Sequence, residues 1–185
     1  TPGGTGALRV AGDFLKAKAG ANRIWLSNPT WANHGAIFSA AGLATDSYRY
    51  LGECGKALDF TGMMESIATI PAGDVICLHA CCHNPTGVDP TAEQWSEIAA
   101  ACTAGGVLPL IDFAYQGFAN GIREDAAALQ PFLSSGNEFM VCSSFSKNFG
   151  LYAERVGALT RVSQDSDTAE STLWQAETAV RTNYS

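Results

Sequence analysis

The feature that most constrains this chain is an alternation. Short apolar runs and stretches with helical spacing take turns over almost the whole length. Strands are expected at Arg23–Ser27, Ala44–Tyr50, Asp74–His79, Val107–Asp112, Phe139–Ser143 and Val156–Val162. Helices are expected at Gly6–Lys18, Trp31–Ala41, Phe60–Ile70, Glu93–Ala104, Asp125–Leu133 and Asp165–Arg181. The punctuation agrees with this division. A glycine-rich turn precedes the first helix and Gly42 closes the second. Asp59 is placed to cap the third, with Pro71 just after it, and Thr91 to cap the fourth before Gly105-Gly106. Strands alternating with helices build βαβ units around a largely parallel sheet, so the fold class is α/β. In such sheets ligands bind beyond the carboxyl ends of the strands.

Composition narrows the function classes. The 185 residues suffice for one domain with a real core, and 46% hydrophobic with 16% charged residues is globular composition. Acidic residues outnumber basic ones, 18 to 11, for a net charge of -7. No Lys/Arg cluster stands out, so no nucleic-acid partner is expected. No apolar run approaches the roughly 20 residues that span a bilayer, so no membrane role is expected either. The six cysteines form no C-x-x-C pair, and the adjacent Cys81-Cys82 have the wrong spacing for a zinc knuckle. No metal is expected, and free thiols in a reducing compartment are the natural reading. A chain that begins without methionine and stops just after a helical pattern reads as part of a longer protein.

Chemically capable residues follow the strands. Lys147, in Ser144-Phe145-Ser146-Lys147-Asn148, is a lysine at a strand end among small polar residues. It could condense with an aldehyde, although a lone lysine more often simply faces solvent. Asp112 ends an apolar strand, where a carboxylate is costly to bury without a positive partner. A protonated pyridine nitrogen is one such partner; a helix cap or a structural ion pair is another. Gly3-Gly4-Thr5-Gly6 ahead of a helix offers N–H groups to an anion. Ser144, Ser146 and Arg155 could complete a phosphate cradle, with Arg155 making a paired contact. Trp31 could stack on a flat ring or pack in the core. Asn84, in His83-Asn84-Pro85-Thr86-Gly87, could donate to a ligand or serve a turn. His34 and His79 could support Asp112.

Each signal is modest, but their order is specific. The series Gly3-Gly4-Thr5-Gly6, Asn28-Pro29-Thr30-Trp31-Ala32-Asn33-His34, His83-Asn84-Pro85-Thr86-Gly87, Asp112-Phe113-Ala114-Tyr115, Ser144-Phe145-Ser146-Lys147-Asn148 and Glu154-Arg155-Val156-Gly157 closely resembles the class I aspartate and aromatic-amino-acid aminotransferases. The resemblance runs from the first residue to the last.

It implies the three-layer αβα large domain of fold-type I enzymes, with a mainly parallel mixed sheet, and residues 1–185 as part of that domain. It also implies pyridoxal 5'-phosphate as cofactor. Lys147 would attach it and move a proton, Asp112 would pair with its ring nitrogen, and Tyr115 and Asn84 would meet its phenolic oxygen. Trp31 would stack on the ring. Gly4, Thr5, Ser144, Ser146 and Arg155 would surround the phosphate. Asn84 and Trp31 would also face the substrate, and His34 would support Asp112.

The implied partners are an amino acid and a 2-oxo acid, with aspartate preferred over an aromatic donor and 2-oxoglutarate as acceptor. A homodimer is implied for the full-length form, in the cytoplasm or the mitochondrial matrix, with the cytoplasm preferred. The family's arginines for the substrate carboxylates have no counterpart here, so the chain alone is expected to transaminate poorly. The alternative is a non-catalytic domain of the same fold that serves as a binding or scaffolding module.

Overall fold

A computed structural model describes residues 1–184. Six strands form one sheet: β1 (Arg23–Asn28), β2 (Ala44–Arg49), β3 (Val75–His79), β4 (Leu108–Phe113), β5 (Phe139–Ser144) and β6 (Gly157–Val162). Their spatial order is β2-β1-β3-β4-β5-β6. All neighbours are parallel except β5 and β6, which are antiparallel. The longer helices are α1 (Gly3–Ala17), α2 (Asn33–Ala40), α3 (Phe60–Ile67), α4 (Ala92–Gly105) and α7 (Ser166–Tyr184). The short α5 (Ile122–Asp125) and α6 (Gln130–Ser134) flank a 3-10 turn over Ala126–Leu129.

Why β3 is an unbroken apolar run follows from its place. Its five residues are all buried because both faces of the sheet are covered. Val75 and Cys77 join a core with Leu8, Leu15 and Phe38 of α1 and α2. Ile76 and Leu78 point the other way, to Met63, Ile67, Trp95, Ile98 and Phe132 of α3, α4 and α6. The three layers expected for the fold class are therefore present. Strand-to-strand moves in opposite directions place their helices on opposite faces, as the right-handed crossover rule requires. From β1 the chain steps outward to β2, and then returns past β1 to β3. That reversal opens a crevice at the carboxyl ends of β1 and β3.

Several helix limits differ from expectation. Helix α1 begins at Gly3 rather than Gly6, so the glycines form its first turn instead of a preceding loop. Helix α3 stops at Ile67, with Ala68–Ile70 turning away. Helix α4 carries the expected cap at Thr91, completed by Gln94 as a capping box. The single helix expected over Asp125–Leu133 is broken into three pieces, with Pro131 in the first turn of α6. Asp125 ends the first piece, and its carboxylate accepts the N–H groups of Gly117 (2.7 Å), Ala119 (3.2 Å) and Asn120 (2.8 Å). It thereby organises the loop after β4.

Burial by itself would raise the Asp125 carboxyl. The N–H donors of Asn120, Ala119 and Gly117, with the Cys81 thiol, outweigh that and hold it below its ordinary 3.8. A depressed carboxyl contributes stability that is present above the ordinary value and lost as pH falls through the folded one. Asp125→Ala should therefore lower the unfolding free energy by about 1 kcal/mol at neutral pH, because three loop N–H groups lose a charged acceptor and turn to water instead. In urea denaturation the gap to wild type should narrow as pH falls below 3.8. A constant gap across that range would contradict this account.

Candidate active site

The carboxyl ends of the strands surround a cavity of about 340 Å³. All ten residues singled out from the sequence line it: Gly4, Thr5, Trp31, Asn84, Asp112, Tyr115, Ser144, Ser146, Lys147 and Arg155. They come from α1, the segment after β1, the loop after β3, β4 and its following loop, and β5 and the turns beyond it.

Asp112 lies on a central strand and is 5% exposed. His34, fully buried at the start of α2, brings its Nε2 to 3.0 Å from Asp112 Oδ2. A carboxylate can only accept, so His34 donates from Nε2. Its Nδ1 faces the Thr30 hydroxyl at 2.8 Å. His79, cross-strand from Asp112, stands 3.9 Å away and is not hydrogen-bonded to it. The expected support for Asp112 therefore comes from His34 and not from His79. Burial pushes the His79 imidazole down to about 4, with Asp112 opposing and His34 adding to the drop. The second oxygen of Asp112 is left for whatever enters the cavity.

Lys147 is in the turn after β5. Its Nζ lies 4.1 Å from the Tyr115 ring centroid and 5.9 Å from that of Tyr152. Two aromatic rings thus hold the amine at the mouth of the cavity.

The far side is an anion cradle. Gly4 and Thr5 occupy the first turn of α1, where N–H groups lack intrahelical partners and the helix dipole favours negative charge. A Cβ at Gly4 would come within 2.8 Å of the Ser144 Cβ, so only glycine lets the helix approach the end of β5. Gly3 has φ +70 and donates its N–H to the Arg155 carbonyl at 2.9 Å. A side chain there would collide with the Arg155 guanidinium. Arg155 itself has φ 53, and its guanidinium donates to Ser146 Oγ at 3.2 Å. Backbone N–H groups, two hydroxyls and a guanidinium thus converge where a phosphate would fit.

Sequence reasoning missed Leu8, Cys81, Ala114 and Tyr152 as lining residues. Tyr152 carried a signal, since an aromatic five residues after Lys147 can return to it around a turn. It also missed the surroundings of His83. That ring is 1% exposed, with Nε2 2.8 Å from Ser27 Oγ and Nδ1 2.8 Å from Thr86 Oγ1. Burial, reinforced by His79 and His34, holds it down to about 3.

Comparison with known proteins gives the same picture from a separate direction. The chain is 52% identical over 183 residues to an aspartate aminotransferase of Haemophilus influenzae, covering 99% of this chain and 46% of that protein. It superimposes on an aromatic amino acid aminotransferase from Burkholderia cenocepacia with a TM-score of 0.97 at 46% identity, covering all of this chain and 46% of that one. It fits equally, at TM-score 0.97 and 41% identity, a Burkholderia pseudomallei aromatic-amino-acid aminotransferase covalently bound to pyridoxal phosphate, again covering all of this chain and 46% of that one. The chain thus spans about half the length of the relatives it matches. The model of the family described as aminotransferase class I and II matches residues 1–183, and with that extent and the site's geometry the chain belongs to this family.

Proposed function

We propose that this chain is part of the large, cofactor-binding domain of an aminotransferase that uses pyridoxal 5'-phosphate. The observation that carries the proposal is the joint presence, in one cavity, of a buried carboxylate, a lysine amine held by aromatic rings and an anion cradle. A phosphorylated pyridine aldehyde needs all three. An inert scaffold needs none of them, and burying Asp112 without a ligand to match would only cost stability.

The roles follow from the chemistry of each side chain. Arg155, Ser144, Ser146, Gly4 and Thr5 would bind the phosphate, with the arginine supplying the full positive charge. Trp31 would stack on the ring. Asp112, oriented by His34, would hold a proton on the ring nitrogen. Tyr115 and Asn84 would hydrogen-bond the phenolic oxygen, and Asn84 would also meet the substrate carboxylate. Lys147 would attach the cofactor, and its freed Nζ would take the proton from the substrate Cα and return it later in the exchange. When bound, the cofactor supplies the electron sink for the charge left at that carbon.

The substrates we assign are aspartate, in preference to an aromatic amino acid, and 2-oxoglutarate. The run Asn148-Phe149-Gly150-Leu151-Tyr152 and the relative at 52% identity favour aspartate. We further assign a homodimeric full-length form, residing in the cytoplasm in preference to the mitochondrial matrix. The six free cysteines suit either reducing compartment. Among the described residues no helix is long and apolar enough to cross a membrane.

Three outcomes are expected of the full-length protein. Borohydride reduction in the presence of pyridoxal phosphate should leave a pyridoxyl group on the Lys147 peptide, absent in Lys147→Ala; an unmodified Lys147 in folded protein overturns the proposal. Asp112→Asn, which keeps an acceptor for His34 but removes the charge, should lower kcat/KM by about 10²–10³ in a coupled assay. Wild-type turnover in that variant would remove Asp112 from the mechanism. Finally, kcat/KM for aspartate should exceed that for tyrosine, and the reverse ranking would reassign the donor.

A further inference from the structure

His83 has no role in the chemistry above, yet it is among the most firmly held side chains in the molecule. Its backbone N–H donates to Asp89 Oδ1 at 2.8 Å, and its carbonyl accepts from Gly87 N–H at 2.6 Å. Its ring stacks on Tyr50, with centroids 3.9 Å apart and planes 15° from parallel. The Tyr50 hydroxyl in turn donates to the Val88 carbonyl at 2.6 Å. One aromatic pair therefore grips the His83–Val88 loop at both ends.

Both polar ends of the ring are paired. His83 Nε2 is hydrogen-bonded to the Ser27 hydroxyl on β1 and His83 Nδ1 to the Thr86 hydroxyl. The Thr86 oxygen accepts from Val88 N–H at 3.2 Å. A continuous line of hydrogen bonds thus runs from the loop, through His83, into β1.

We propose that His83 is a positioning residue for Asn84. It transmits the geometry of β1 and of Tyr50 into the loop and fixes where Asn84 meets the cofactor and the substrate carboxylate. This rests on the role given to Asn84 under the proposed function. Phenylalanine at 83 would keep the stack on Tyr50 and lose both polar ends, so the loop would retain its packing but not its aim.

The test uses the full-length protein loaded with pyridoxal phosphate and compares wild type, His83→Phe, Asn84→Ala and the double variant. His83→Phe should raise both the cofactor Kd and the amino-acid KM about tenfold, the loss expected for one well-made hydrogen bond to a charged group. Its kcat should change by less than about threefold, because the proton-transfer group is untouched. The absorption band of the bound cofactor should shift in the same direction as in Asn84→Ala. In the Asn84→Ala background the added substitution should have no further effect on KM, Kd or spectrum. Wild-type values in His83→Phe, or an effect that persists undiminished beside Asn84→Ala, would overturn the proposal. Should His83→Phe fail to fold, Thr86→Val removes the hydroxyl that pairs with Nδ1 and with Val88 N–H, leaves the stack on Tyr50, and is read by the same criteria. A wild-type protein that takes up no cofactor sinks both this inference and the aminotransferase reading. A loaded wild type beside an unperturbed His83→Phe sinks this inference alone.

Discussion

A carboxylate buried near the end of a central parallel strand is the constraint around which the site is arranged. Asp112 cannot sit there unsupported, because an ionised group deprived of water costs several kcal/mol unless hydrogen-bonded or paired. His34 provides one hydrogen bond, and providing it dictates much else. The segment after β1 must turn so that α2 starts under the strand ends. Thr30 must reach the other imidazole nitrogen, and Trp31, one residue on, is carried to the cavity wall. The remaining Asp112 oxygen is then a polar group held in place at the cavity. A ligand whose cationic N–H points at it relieves a cost that the empty protein must bear.

The sheet makes this arrangement possible. Because it is covered on both faces, its strands cannot shift relative to one another without breaking two cores at once. Residues at adjacent strand ends, such as His79, Asp112 and Cys142, are held at ladder spacing. The catalytic candidates sit on or one short turn beyond that frame, where backbone freedom is smallest for a loop. Their mutual distances are therefore set mainly by strand register, and only secondarily by side-chain packing.

Much of this was legible in the sequence because the deciding signals were local. The strands announced themselves as apolar runs between turn residues, and the Thr91 capping box is written in adjacent residues. Ten of the lining residues were found because they lay ahead of the first helix or at and beyond strand ends, and belonged to a run of specific order. What escaped was decided at a distance. Glycines at 3 and 4 look like a loop, but they open a helix, and they are glycines because Ser144 and Arg155, some 140 to 150 residues on, leave no room for a Cβ. The periodicity over Asp125–Leu133 looks continuous, but Asp125 is drawn backward to the loop at Gly117–Asn120 and Pro131 restarts the helix. The choice between His34 and His79 turned on less than an ångström of reach to one oxygen. His83 was quoted only as part of a motif, since Ser27 and Tyr50, which give it meaning, lie far from it in sequence.

The closure between Gly3 and Arg155 has a consequence for biosynthesis. The start of α1 is stapled to Arg155 and the first residue of β6 by the Gly3–Arg155 bond and by paired bonds between Thr1 and Gly157. The anion cradle thus joins groups that leave the ribosome some 150 residues apart. A ribosome-bound chain that has not yet released Arg155 lacks β6 as well, so it has neither the complete sheet nor the cradle. Any grip on a phosphate group then has to wait until both sides of the cradle have emerged and met.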